Sequence, residues 1–154
     1  MRILCEDAAK GGAHHGLKVT RLRAISIWMI HGSFGFLFSL CTGITDNSLT
    51  HWWIEIETED PEVWYCAQFR KMNDDYVLLL KKCSTQKEAI AEGQKGGRRL
   101  GDNPNMSIEY SFPVTDGLTI GDIHNFMLYS CDDKYDLITN NCQKFAKDFV
   151  KWAK

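Results

Sequence analysis

The chain lacks a basic balance. Its 18 Lys and Arg stand against 20 Asp and Glu, a formal net charge of -2, and this removes the main electrostatic reason to expect nucleic acid, because phosphate binding calls for a basic surface. It also lacks paired cysteine spacing. Six cysteines, at 5, 41, 66, 83, 131 and 142, are scattered without a CxxC pattern, in a chain long enough to hold itself together through its core. A reduced, cytoplasmic compartment is therefore expected rather than a disulfide framework or a structural zinc. No secretory signal is read in MRILCEDAAKGGAHHG, which carries early acids and no apolar run with a small-residue cleavage site. Internal repeats and low-complexity tracts are absent as well. At 154 residues and 44% hydrophobic content, the expectation is one globular domain over 16–154 behind a mobile polar leader at 1–15.

One further absence has two readings. Between Ala24 and Ile44 there is no Asp, Glu, Lys or Arg, and Lys18, Arg21 and Arg23 precede the stretch, which is the length and flank of a membrane span. Gly32, Gly35 and Gly43, several hydroxyl residues and His31 interrupt it. The preferred reading is a buried strand followed by an apolar loop, with membrane contact through 24–44 as the alternative.

The patterning that is present sets an α+β class. LKVTRLRAISIWMI, 17–30, reads as a strand entering a core. HWWIEIETEDPEVWYCAQF, 51–69, reads as a hairpin turning at TEDPE, with Trp52, Ile54 and Ile56 on its more apolar face and His51, Trp53 and Glu55 on the other. YVLLLKKC, 76–83, and MSIEYSFPV, 106–114, are further strands. Thr85 with Glu88 and Thr119 with Asp122 are capping boxes for two helices, the first ended by Gly96 and Gly97. A final strand precedes the C-terminal helix. The sum is an antiparallel sheet of about five strands with three helices, the last packed across the sheet.

That last helix carries the candidate chemistry. In NNCQKFAKDFVKWAK, Phe145, Phe149 and Trp152 recur at i, i+4 and i+7, with lysines opposite, so the helix has one core face. Cys142 continues the stripe in the first turn, and Asn140 or Asn141 caps it. Unpaired N–H groups and the positive end of the helix dipole stabilise an anion there, so Cys142 is the candidate nucleophile, with its own backbone N–H available to an oxyanion. A small buried hydrophobe is the competing reading. A thiol nucleophile needs a base. Among His14, His15, His31, His51 and His124, only His51 opens a well-formed strand. Folding the hairpin about TEDPE brings 67–69 opposite His51, which makes Gln68 the candidate orienting residue. Trp53 is then the expected cleft wall, and Asn141, beside the thiol, the second candidate substrate contact.

THWWIEIE, 50–57, resembles the SHWGIYV-type strand of the lecithin:retinol acyltransferase-like proteins, and NNCQKFAKDF, 140–149, resembles their NCEHF helix start. The same order, histidine strand then cysteine helix, is that of the circularly permuted papain-like fold of the NlpC/P60 and PPPDE peptidase families. The resemblance implies a Cys142–His51 dyad and an acyl-thioester intermediate, with an acyl, amide or peptide substrate and neither metal nor cofactor. The chain departs from the acyltransferase pattern in having no second histidine on the return strand, and Gln143 and Lys144 where that pattern has Glu-His. The competing classes are a non-catalytic binding module on the same fold and a membrane-anchored protein.

Overall fold

The computed structural model describes residues 2–5, 12–28, 50–72, 75–96, 106–129 and 141–154. Its elements are β1 (Arg2–Cys5), β2 (Val19–Trp28), β3 (Thr50–Thr58), β4 (Trp64–Met72), β5 (Asp75–Cys83), α1 (Gln86–Gln94), β6 (Met106–Pro113), α2 (Ile120–Tyr129) and α3 (Cys142–Ala153). The six strands form one sheet in the order β1-β5-β4-β3-β2-β6. Five strands pair antiparallel through hairpins and returns, while β1 lies parallel to β5 with Ile3 beside Leu78 and Cys5 beside Leu80. The class is α+β, with a mixed sheet rather than the antiparallel one expected.

The first residues depart from the leader reading. Arg2–Cys5 forms an edge strand whose Ile3 and Cys5 pack against the core. A glycine-rich neighbourhood hides four residues of strand because their partners lie more than seventy positions away, in a pairing that local composition does not encode.

Strand alternation gives the sheet two unlike faces. On one, Leu22, Ala24, Trp52, Ile54, Ile56, Tyr65, Ala67, Leu78 and Leu80 meet α2 and α3 in the larger core. α3 fits this face because its buried apolar residues, Cys142, Phe145, Ala146, Phe149 and Val150, form one stripe, with the buried Gln143 at its start. Phe149 is fully buried, with Phe126 and Phe145 edge-on to it at 5.3 and 5.9 Å between ring centres. Burying such a ring contributes about 1.5–3 kcal/mol. Trp152, the next residue of the stripe, reaches past the sheet and stays 39% exposed.

The second face carries Ile25, Ile27, Trp53, Cys66 and Cys83 under α1. This helix begins as its capping box requires, Thr85 Oγ1 accepting from the N–H of Glu88 at 3.2 Å. Its buried residues are Ala89, Glu92 and Gly93, so it covers the face with small and polar groups. Thr119 and Asp122 cap α2 reciprocally, each accepting from the other's N–H.

No helix among the described residues is long and apolar enough to cross a membrane. Of the apolar 24–44 stretch, Ala24–Trp28 is the end of β2. The loop expected after it, His31, most of KGGRRL, and the strand before α3 lie outside the described residues.

Candidate functional site

Asn141 is the N-cap of α3: its side-chain oxygen accepts from the N–H groups of Gln143 and Lys144, both at 3.0 Å. With those donors engaged, the Asn141 oxygen is taken up by the helix itself. The cap fixes Cys142 in the first turn, where its thiol donates toward the carbonyl of Thr50 at 3.8 Å. Around it Gln143 Nε2 and Trp52 Nε1 both donate to Thr50 Oγ1, at 3.1 and 2.9 Å. Burial pushes the Cys142 thiol up, against the pull of the Trp52, Cys142 and Gln143 backbone groups. The anion-favouring helix start is present, and desolvation outweighs it.

His51 is elsewhere. Thr50, Trp52, Ile54 and Ile56 point toward α3, so His51, Trp53 and Glu55 point through the other side of the sheet toward α1. The thiol and the imidazole therefore stand on opposite faces of β3, and the dyad expected from the sequence is not assembled. The physical reason lies in α3 itself, whose stripe is apolar apart from Gln143, satisfied by Thr50, and takes the apolar face of β3 and not the face bearing a histidine and a glutamate.

His51 is instead the centre of a buried polar layer. Gln68 Nε2 donates to the backbone carbonyl of Glu92 at 3.0 Å, which turns Gln68 Oε1 toward His51 Nε2 at 3.2 Å; that nitrogen therefore carries the proton. Gln68 does hold the ring, though its partner across the ladder is Trp53, so it reaches His51 diagonally. Trp53 is fully buried beside it, the two rings stacked at 6.1 Å and 22°; it is a floor under α1 and not the wall of a cleft at Cys142. Beyond Gln68, Arg70 Nη2 pairs with Glu92 Oε1 at 3.1 Å and Lys95 Nζ with the other oxygen of Glu92. Burial lowers the His51 pKa to about 4, partly offset by the contacts with Gln68 and the Gly93 backbone, while Arg70 lowers it further. The ring is neutral across the physiological range.

Sequence reasoning missed Arg70, Glu92 and Lys95, which are ordinary charged residues in sequence. The available signal was glycine. A Cβ at Gly93 would fall on the Trp53 indole and one at Gly96 on the His51 ring, so these positions mark where α1 and the turn after it lie directly against the sheet. We expect Gly93→Ala to destabilise the fold by about 1–2 kcal/mol, because overpacking against an immovable indole outweighs the gain in helix propensity. Urea unfolding measures it, and a variant as stable as the wild type would mean that α1 stands further off.

Of the remaining histidines, His14 Nδ1 lies 2.9 Å from the Tyr65 hydroxyl, and His124 is lowered by partial burial and by His15. No group of three or more metal-ligating side chains occurs among the described residues. Compared with models of known families, with characterised proteins and with solved structures, the chain matches none.

Proposed function

We propose that this chain is a non-catalytic binding module on a permuted papain-like α+β scaffold, in which Cys142 and His51 are structural residues. One observation carries the reading: the thiol and the imidazole occupy opposite faces of β3. A general base acts within hydrogen-bond reach of the proton it takes, and a side chain on the far face of a strand is out of reach. The titration of each group supports the same reading, the thiol being held up and the imidazole held neutral by burial. The scaffold assignment rests on the order of a histidine-bearing β3 and a late cysteine-headed α3 that packs across β3 and β4. A cytoplasmic location goes with it, on the scattered cysteine spacing and the burial of Cys66 in the sheet.

The second reading is a cysteine-dependent hydrolase or acyltransferase, or a PPPDE-like isopeptidase, acting on an acyl, amide or peptide substrate. The feature favouring it is the Asn141-capped start of α3, where the Cys142 and Gln143 backbone groups favour the thiolate. It requires His51 to turn to the face of α3, which a one-residue shift in the register of β3 accomplishes.

Alkylation rate against pH separates the two. For the binding module, Cys142 reacts slowly in the folded protein, its thiol titrates no lower than a free cysteine, and His51→Ala leaves that titration unchanged. A thiol that titrates well below free cysteine and rises on His51→Ala, with labelling by an acyl-directed probe that Cys142→Ala abolishes, would replace the module with the enzyme.

A further inference from the structure

The C-terminal turn of α3 ends in a patch at the rim of the larger core, where Phe126 and Trp152 both pack on Phe149. Asp122, Asn125, Phe126 and Tyr129 recur at i, i+3, i+4 and i+7 along α2, so they share one face of that helix. That face meets Trp152, and together they line a groove of about 460 Å³. Phe126 and Trp152 stack at 4.5 Å and 23°, so the two rings form one wall of the groove. Tyr129 stands 89% exposed, a large aromatic held in water with no core to serve. A second groove of about 460 Å³ shares Trp152 and Asp122 with the first and continues past them, along Phe112 to Leu118 and Asp116.

The charges of the groove are as specific as its rings. Asp122 Oδ2 takes both of its capping bonds from Thr119, at 2.9 and 2.7 Å, and Oδ1 accepts nothing among the described residues. Asp116 brings a second carboxylate to the adjoining groove. Aromatic faces carry negative charge density and attract an alkylammonium, the more so with a carboxylate beside them. The molecule shows this chemistry beside the adjoining groove: the ammonium of Lys154, which lines that groove, lies 5.5 Å from the centre of Tyr110 and 5.4 Å from that of Phe112.

We infer that the groove built by Phe126, Tyr129, Trp152 and Asp122 binds the side chain of a lysine carried on an extended segment of a partner polypeptide, the ammonium lying between Asp122 and the aromatic faces. The inference rests on the binding-module reading for the view that the domain recognises a partner, and it names where and what. The two grooves share Trp152 and Asp122, which sets them side by side along the path of an extended chain.

The test is an NMR titration of the full chain with the peptide acetyl-Gly-Lys-Gly-amide and with the same peptide carrying norleucine, which keeps the lysine stem and removes the ammonium. The lysine peptide is expected to shift the indole signal of Trp152 and to bind at least several-fold more tightly than the norleucine peptide. Asp122→Asn, which retains an acceptor for the α2 cap, and Tyr129→Leu, at a position exposed enough to leave folding unaffected, should each weaken it about three-fold. Equal binding of both peptides, binding that neither variant weakens, or no shift at Trp152 overturns the inference. Failure here with an inert Cys142 removes this site and leaves the binding-module reading standing. A reactive, His51-dependent thiol removes that reading whatever the peptide does.

Discussion

Replacing Arg23 by methionine is expected to destabilise the protein by about 3 kcal/mol at neutral pH, the low end for breaking a buried ion pair. Glu55 has no exposed side-chain surface, and Arg23 Nη1 donates to its Oε1. Gln86 Nε2 donates to the same oxygen at 3.0 Å, and Oε2 has no partner among the described residues. The carboxylate is therefore only partly compensated, and burial raises its pKa while Arg23 pulls it down. Without the guanidinium, Glu55 must either stay charged in the sheet or take up a proton, and both cost free energy at pH 7. Arg23 keeps 17% exposure and also reaches Glu57 at 3.0 Å, so it loses less than a wholly buried partner would. The double variant Arg23→Met/Glu55→Gln should recover much of the loss, since a neutral amide needs no counter-charge. Urea unfolding of the two single variants and the double one measures this; an Arg23→Met protein of wild-type stability would show that the pair contributes nothing.

The same pair illustrates what the sequence made legible. Alternation along HWWIEIE correctly groups Glu55 with His51 and Trp53 against Trp52, Ile54 and Ile56. It says nothing of Arg23, which faces Glu55 from the neighbouring strand in the register Arg23–Glu55. Elements with their own periodicity or capping chemistry were readable: the stripe of α3, the Thr85 and Thr119 caps, the turn at TEDPE. Pairings between distant segments were not, which is why β1 and its parallel contact with β5 were invisible.

The site divides in the same way. The hairpin puts Gln68 on the face of His51, though opposite Trp53 rather than opposite His51 as expected, and the Glu92 carbonyl turns its amide to the ring. Which face α3 would choose is a tertiary question, and the resemblance of two short motifs pointed one way while hydrophobic burial points the other. Phe145, Phe149 and Val150 lose their favourable transfer if set against His51 and Glu55. The weakly apolar α1, with glycines where the rings rise, is the helix able to cover the polar face.

Acid should expose that arrangement. A histidine whose folded pKa is lowered binds its proton more readily when unfolded, so the unfolded state gains protons first as pH falls, and stability falls with it. For His51, lowered from 6.5 to about 4, the contribution is present above about pH 6.5 and is lost progressively toward pH 4. It amounts to about 3 kcal/mol. The groups facing the ring act in different directions. Arg70 on β4 repels the imidazolium, Glu92 on α1 is already engaged by Arg70 and Lys95, and Glu55, four residues along β3, is raised and so favours the folded state as acid protonates it. Glu55 therefore offsets part of the loss near the acid end. His124, lowered by partial burial, adds to it. Unfolding free energies at pH 7, 6, 5 and 4 for the wild type and His51→Gln isolate the His51 part: the amide conserves a hydrogen-bonding group beside Gln68 and does not titrate. The variant should have a pH profile shallower by about 3 kcal/mol over that range. Superimposable profiles would mean that the imidazole is open to protonation in the folded state, and hence that α1 does not close over it.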